Sequence, residues 1–245
     1  VLPREPIAGS RAAQAALLRE FDAVIAHSQA GRARLIEEAD LDPERVHVIA
    51  HGAFAHLAAL ADAVLPAELA ATAKPVVLYF GLIRPYKGLD VLLEAWDGID
   101  SAELWVVGRP RFDISKLRTG AAASVRWVPR YVSDLELAAC FRRADLVVLP
   151  YREIEQSGVL ATALAFGSPL LVSDTGGFRE LAQAGAARLV APGEAPALHD
   201  ALASLLADAS ERQRLAAGAS ALAAGAASWE SVAAQTAALY AALLS

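Results

Sequence analysis

Short apolar runs alternate along most of the chain with longer segments in which apolar residues recur every three or four positions. Runs of this length are typical of strands buried on both faces of a sheet, and the spaced segments are typical of helices that bury one face. From position 76 onward the pattern predicts strands at 76–80, 104–107, 125–128, 146–149, 170–172 and 188–190. It predicts helices at 89–96, near 116, at 134–143, 159–166 and 178–183, and after 192. We therefore expect a doubly wound, six-stranded parallel sheet of the α/β class, with helices on both faces.

The first 50 residues show a shorter alternation. It predicts, after an irregular segment at 1–9, a helix at 10–20, a strand at 22–27, a helix at 29–39 and a strand at 46–50. Ser28 is placed to cap the second helix, because a serine oxygen accepts hydrogen bonds from the first backbone N–H groups. Four elements are too few to close a doubly wound sheet, so they predict the last part of a separate domain. Residues 54–74 are rich in alanine and are followed by Pro75, which indicates a linker.

The loop after the predicted strand 76–80 carries two cations. It begins at Gly81, contains Arg84 and Lys87, and closes on Gly88 before a helix. Ligands of open α/β sheets bind at the carboxyl ends of the strands, where helix N-termini already favour anions. Two cations in that place indicate a phosphate or diphosphate ligand, although solvated loop charges would give the same pattern.

Two further loops at the same predicted edge of the sheet open helices with small residues. Ser157 and Gly158 allow backbone N–H groups to approach an oxyanion, and Gly176 and Gly177 precede a helix that holds Glu180. Each loop alone is also explained as a helix cap or a tight turn. Together with the cation loop they supply the several donors and the positive charge that a diphosphate needs.

Composition narrows the class of protein. The net charge is −6 and the pI about 5.4, whereas a general nucleic-acid binder is usually basic. The single cysteine, Cys140, precludes an internal disulfide, fits a reducing, cytoplasmic setting, and is expected to pack in the core.

The 245 residues include no methionine, from which we expect that sequence upstream of Val1 is missing. No apolar run is long enough to span a membrane. Peripheral contact with the inner face of a membrane is the alternative to a purely cytoplasmic location.

Several stretches resemble one enzyme family. The segments FGLIRPYKGLDVLLEAW at 80–96 and ADLVVLPYREIEQSGVLATALAFGSPLLVSDTGGFREL at 144–181 resemble the carboxyl-terminal half of retaining GT-B glycosyltransferases, specifically glycosyltransferase family 4. The segments DAVIAHSQAGRARLIEE, RVHVIAHGAF and SWESVAAQTAALYAALL resemble the end of that family's amino-terminal domain and its closing helix. The resemblance implies two Rossmann-like domains, of which the second binds the donor and the first the acceptor. It assigns 1–53 to a remnant of the acceptor-side domain, 54–75 to a linker, 76–226 to the donor-binding domain and 227–245 to the closing helix.

The resemblance also assigns site residues. Arg84 and Lys87 match the family's basic pair that holds the donor diphosphate, and they are the expected catalytic residues. The expected donor-binding residues are Gly81, Arg130, Tyr131, Val132, Glu155, Gln156, Ser157, Gly158, Val159 and Thr162. The sequence departs from the family where Ile154 and Thr162 occupy the positions of two glutamates spaced eight apart. This departure leaves the sugar and the nucleotide undetermined.

The implied reaction is transfer of a sugar from a nucleoside diphosphate sugar to an acceptor hydroxyl, with retention at the anomeric carbon. The acceptor is a sugar, a lipid-linked sugar or a small molecule, as in polysaccharide or glycoconjugate biosynthesis. We expect no cofactor and no metal, because the two cations replace the charge of a metal ion. A nucleotide-sugar epimerase of GT-B architecture and a non-catalytic nucleotide-sugar-binding module are the alternatives.

Overall fold

The computed structural model describes residues 10–69, 72–154 and 156–245, so the predicted irregular segment 1–9 lies outside the described residues. Contacts divide the chain into two compact units. Unit 1 comprises Val1–Gly52 and Gly225–Ser245, and unit 2 comprises Ala53–Ala224. The roles that the sequence assigns to its predicted domains stay a prediction.

Unit 1 begins with the predicted α-β-α-β order. Its elements are α1 (Ser10–Arg19), β1 (Val24–Ala26), α2 (Gln29–Ala39) and β2 (Val46–Val48). The two strands pair in parallel. The predicted cap of α2 is confirmed, because the Ser28 side chain accepts a hydrogen bond of 2.9 Å from the Gly31 N–H.

Unit 2 contains six strands and eight helices within its described residues. They are α3 (Ala55–Ala58), β3 (Val76–Phe80), α4 (Leu89–Ala95), β4 (Glu103–Val107), α5 (Ser115–Thr119), β5 (Val125–Val128), α6 (Asp134–Arg143), β6 (Leu146–Leu149), α7 (Gly158–Ala165), β7 (Leu170–Ser173), α8 (Phe178–Gln183), β8 (Ala187–Val190), α9 (Ala195–Ala207) and α10 (Ala209–Ala224). A capping box opens α6, where the Ser133 and Glu136 side chains each accept a hydrogen bond from the other's backbone N–H group. Of the described helices, none has the length and apolar character needed to cross a membrane.

The six strands form one parallel sheet in the order β5-β4-β3-β6-β7-β8. The predicted six-stranded parallel sheet is therefore confirmed. Its strand order runs one way from β3 to β5 and the other way from β6 to β8, so the two directions meet between β3 and β6. In open α/β sheets this switch point leaves a crevice at the carboxyl ends of the strands.

The sheet is covered on both faces. Val77 and Tyr79 of β3 belong to a core cluster that includes apolar residues of α4 and α9. The other face of β3 presents Phe80, whose ring lies 5.2 Å from that of Phe141 on α6. Burial on both faces explains why β3 is apolar at every position rather than alternating.

The segment 54–75, which the sequence predicts as a linker, is held by three arginines; we call it the anchored segment. Arg142 donates to the carbonyls of Ala58 and Leu60. Arg143 donates to the carbonyls of Thr72 and Lys74 at 3.0 and 2.6 Å, and Arg130 pairs with Glu68 at 2.7 Å. The described part of this segment is therefore fixed against the rest of unit 2.

The chain ends in unit 1 with α11 (Trp229–Leu243). Its first residue, Trp229, places its ring 6.2 Å from that of His51. His51 Nδ1 donates to the Gly52 carbonyl at 2.8 Å. His51 therefore takes part in ring packing and in a backbone hydrogen bond within unit 1.

Candidate functional site

A cavity of about 390 Å³ lies in unit 2 where the loops after β3 and β6 meet. We call residues 81–88 the cation loop and residues 150–157 the α7 loop, because the latter opens α7. Seven of the residues predicted from the sequence line this cavity: Arg84, Lys87, Gln156, Ser157, Gly158, Val159 and Thr162. The sheet topology explains this convergence, since the two loops leave neighbouring strands on either side of the switch point.

The cation loop is fixed by its neighbours on both sides. Toward β4, the Gly81 N–H donates to the Val107 carbonyl at 2.9 Å and the Ile83 N–H to the Arg109 carbonyl at 3.0 Å. Toward β6, Gly88 has a left-handed backbone with φ +67°, and a Cβ there would overlap the Pro150 carbonyl oxygen. Only glycine allows this close approach without strain.

Arg152 of the α7 loop also holds the cation loop, through hydrogen bonds from its backbone and from its side chain. Its backbone N–H donates to the Tyr86 carbonyl at 2.8 Å, and its guanidinium donates to the Pro85 carbonyl at 2.9 Å. The same guanidinium makes a bidentate pair with Asp90 of α4 at 2.9 and 2.6 Å, and this hydrogen bonding lowers the pKa of the Asp90 carboxyl. The two loops therefore form one connected structure around the cavity.

Lys87 is only 7% exposed, although it carries an ammonium group. Its Nζ lies 5.0 Å from the centroid of the Tyr151 ring. A Cβ built on Gly81 would lie 3.2 Å from that Nζ and 2.8 Å from Val159 Cγ2. The ammonium is thus placed between the end of β3 and the first turn of α7.

The first turn of α7 supplies the second feature expected of an anion site. Ser157 Oγ accepts a hydrogen bond of 3.3 Å from the Leu160 N–H and caps the helix. The helix dipole adds partial positive charge at this end. Gly158 is the first residue of α7, and a Cβ built on it would lie 3.6 Å from Cε2 of the Phe54 ring. Backbone donors and the Lys87 ammonium therefore approach the cavity from adjacent loops.

The positions where the family has glutamates are both buried. Ile154 is buried in the α7 loop, and its carbonyl oxygen lies against Gly176, whose φ is +51°. Thr162 lines the cavity but is 4% exposed, and its Oγ1 donates to the Gly158 carbonyl at 2.9 Å. Glu155 lies outside the described residues. Within the described ranges, no group of three or more His, Cys, Asp or Glu side chains is arranged to hold a metal ion.

The predicted residues Arg130, Tyr131 and Val132 are not among those that line the cavity. Arg130 forms ion pairs of 2.7 Å with both Glu68 and Glu136. Its hydrogen bond lowers the pKa of Glu136 to about 2. Tyr131 is 76% exposed, and Val132 is buried. A donor-binding role for these three residues stays a prediction.

Comparison with known proteins identifies the family. Residues 74–208, more than half of the chain, match the family model described as "Glycosyl transferases group 1". The chain belongs to this family. The matched region extends from just before β3 to the end of α9 and includes both loops of the cavity.

Among the relatives of this chain is a phosphatidyl-myo-inositol mannosyltransferase of Mycobacterium leprae. It is 38% identical over 157 residues, which are 60% of this chain and 41% of the relative. A D-inositol 3-phosphate glycosyltransferase of Frankia alni is 32% identical over 230 residues, which are 82% of this chain and 54% of the relative. The chain therefore spans about half, or less, of the length of these relatives.

Solved structures confirm the predicted GT-B fold of this chain. A sucrose-phosphate synthase from Thermosynechococcus elongatus superposes with a TM-score of 0.80 at 24% identity, covering 100% of this chain and 64% of its own. Anabaena HepE in complex with UDP-glucose superposes with a TM-score of 0.79 at 22% identity, covering 95% of this chain and 67% of its own. At these identities the likeness shows the fold.

Two groups of residues in this site were not predicted from the sequence. Tyr151 and Arg152 are the second and third residues after β6, and their position at the carboxyl end of a central strand was the available signal. Phe54 and Leu57 of the anchored segment form part of the cavity wall. No local pattern could have placed them there, since α3 is only four residues long.

Proposed function

We propose that this group 1 glycosyl transferase transfers a hexosyl group from a nucleoside diphosphate sugar to an acceptor hydroxyl with retention of the anomeric configuration. One observation carries the proposal: Arg84, Lys87 and the N-terminus of α7 line a single cavity at the switch point of the sheet. A diphosphate is the ligand group that matches two cations and a set of backbone donors. The relatives named as mannosyl- and glycosyltransferases, and HepE solved with UDP-glucose, support the same class of donor.

The arrangement suggests how transfer would be accelerated. When the bond between the anomeric carbon and the diphosphate oxygen breaks, negative charge grows on the departing diphosphate. The Lys87 ammonium is already in place inside the cavity, and the backbone of the cation loop is fixed by Gly88 and Arg152. Charges and dipoles that need no rearrangement stabilise the transition state more than the ground state.

The first experiment is a donor screen on the full-length protein. Calorimetry with UDP-, GDP- and ADP-hexoses identifies the donor, and transfer to sugar, lipid-linked and small-molecule acceptors is then measured. Lys87→Ala and Arg84→Ala are each expected to reduce the transfer rate about 10²- to 10³-fold, by analogy with the loss of one oxyanion donor. Lys116→Ala is the matched control, because Lys116 is exposed on α5 and should keep the wild-type rate. Wild-type rates for both site variants would refute the assignment of the pair.

Three further measurements test the finer parts of the proposal. Proton NMR of the first product should show the anomeric configuration of the donor, and the opposite configuration would refute retention. Formation of an epimerised donor in the absence of acceptor would instead indicate an epimerase. We also propose that transfer needs no divalent metal, since Arg84 and Lys87 supply the positive charge at the diphosphate. Addition of EDTA should leave the rate unchanged.

A further inference from the structure

Tyr151 touches both halves of the candidate anion site. It is the second residue after β6, and it is only 1% exposed although it lines the cavity. The face of its ring lies under the Lys87 ammonium, with 5.0 Å between Nζ and the ring centroid. Its hydroxyl oxygen lies 3.5 Å from Ser157 Oγ, the cap of α7. One side chain therefore reaches the cation and the helix opening at once.

The Tyr151 ring is itself held between two aromatic neighbours. The Tyr86 ring, in the cation loop, meets it edge-on with 6.1 Å between centroids and an interplanar angle of 80°. The Phe178 ring, at the start of α8, lies 5.8 Å away. Because both neighbours belong to fixed elements, the Tyr151 ring has little freedom to rotate.

An aromatic ring suits a lysine that must stay available to an anion. A lysine side chain is long and flexible, so its ammonium needs a partner to stay in one place. The ring attracts the cation through its quadrupole and carries no net charge. The Tyr151 ring thus helps to orient Lys87 without reducing the positive charge of its ammonium.

We propose that Tyr151 is a positioning residue that fixes Lys87 through its ring and the Ser157 cap through its hydroxyl. The proposal rests on the proposed function, because the ligand of both groups is the donor diphosphate. It predicts that Tyr151 acts on binding and transfer through Lys87 and touches no reacting atom.

The test uses a ring of constant shape, so that packing and folding are preserved. Phenylalanine and its mono-, di- and trifluorinated forms are introduced at position 151 of the full-length protein. Fluorine withdraws charge from the ring face and weakens its attraction for a cation. Binding of UDP, GDP and ADP is measured by calorimetry, and kcat and KM are measured with the donor found in the screen. The same series is made in the Lys87→Ala variant.

We expect diphosphate affinity and kcat to fall stepwise along the series, by about 5- to 30-fold from phenylalanine to its trifluorinated form. In the Lys87→Ala variant the series should be flat, because the ammonium that the ring holds is gone. A flat series in the wild-type background, or equal slopes in both backgrounds, would overturn the role of Tyr151. If the wild-type protein bound none of the three nucleotides, the proposed function would fail first, and the two failures are thereby distinguished.

Discussion

The Gly88→Ala variant tests how the position of the cation loop affects the stability of unit 2 and the transfer rate. Gly88 has φ +67° and ψ 29°, and a Cβ there would lie well inside 3.0 Å of the Pro150 carbonyl oxygen. A non-glycine residue in this left-handed region costs about 1–2 kcal/mol. The overlap is with backbone rather than with a flexible side chain, so the cation loop or the end of β6 must move, at about 1–3 kcal/mol more.

Gly98→Ala is the matched control. Gly98 also has a positive φ, +78°, but a Cβ there meets nothing within 4 Å. It therefore carries only the backbone cost. With about 2–4 °C of Tm per kcal/mol for a protein of this size, Gly88→Ala should lower Tm by about 2–12 °C more than Gly98→Ala.

Activity gives the second comparison between the two glycine variants. Because Lys87 directly precedes Gly88, a shift of the loop displaces the ammonium, and displacement of a site group by about 1 Å costs roughly 10²-fold in rate. Gly98→Ala should keep the wild-type transfer rate. Thermal unfolding followed by circular dichroism and a transfer assay measure both effects. Equal losses of stability in the two variants, with equal rates, would refute the reasoning about the loop.

Two further predictions concern titratable groups on α6. The hydrogen bond from Arg130 holds the pKa of Glu136 at about 2, so its contribution to stability is complete above about pH 4.5 and is lost as the pH falls toward 2. The Tm difference between wild type and Glu136→Gln should therefore shrink over that interval, and a constant difference would contradict the ion pair. Burial raises the pKa of the Cys140 thiol to about 12. Its reaction with DTNB at pH 8 should therefore be at least about 10²-fold slower in the native protein than in urea, whereas equal rates would show that the thiol is accessible.

The sequence predicted the elements of unit 2 well where the signals are local. The strands at 76–80, 125–128 and 146–149 match at both ends, because each apolar run is bounded by residues that end a strand. The caps at Ser28 and Ser133 were predictable, since a cap binds backbone groups within three residues.

Strand β4 shows where a local pattern fails. It begins at Glu103, one residue before the apolar run. The Glu103 carboxylate accepts hydrogen bonds from Trp105 Nε1 at 3.0 Å and from Arg126 at 3.2 Å, which allows a charged residue within a buried strand. The pairing with Arg126, 23 residues away in the sequence, cannot be recognised from the residues next to Glu103.

The types of residue in the site could be predicted from the sequence, but the contacts between their side chains could not. Arg84 and Lys87 could be placed at the edge of the sheet, because loops after parallel strands share that edge. That Lys87 lies over Tyr151, and that Arg130 is engaged by Glu68, depends on which strands are neighbours. Hydrophobic periodicity gives the elements and leaves their order across the sheet undetermined, so these long-range pairs required the structure.

The contacts that hold the anchored segment determine how freely its amino-acid sequence can vary between related proteins. Arg142 and Arg143 hold it by main-chain carbonyls, at Ala58, Leu60, Thr72 and Lys74. Every residue type carries a carbonyl, so these anchors do not depend on the identity of the side chains they hold. We therefore expect the amino-acid identity of this stretch to drift during evolution while its path stays the same. Phe54 and Leu57, which belong to this segment, would then lie in the cavity wall even where the rest of the segment differs in sequence.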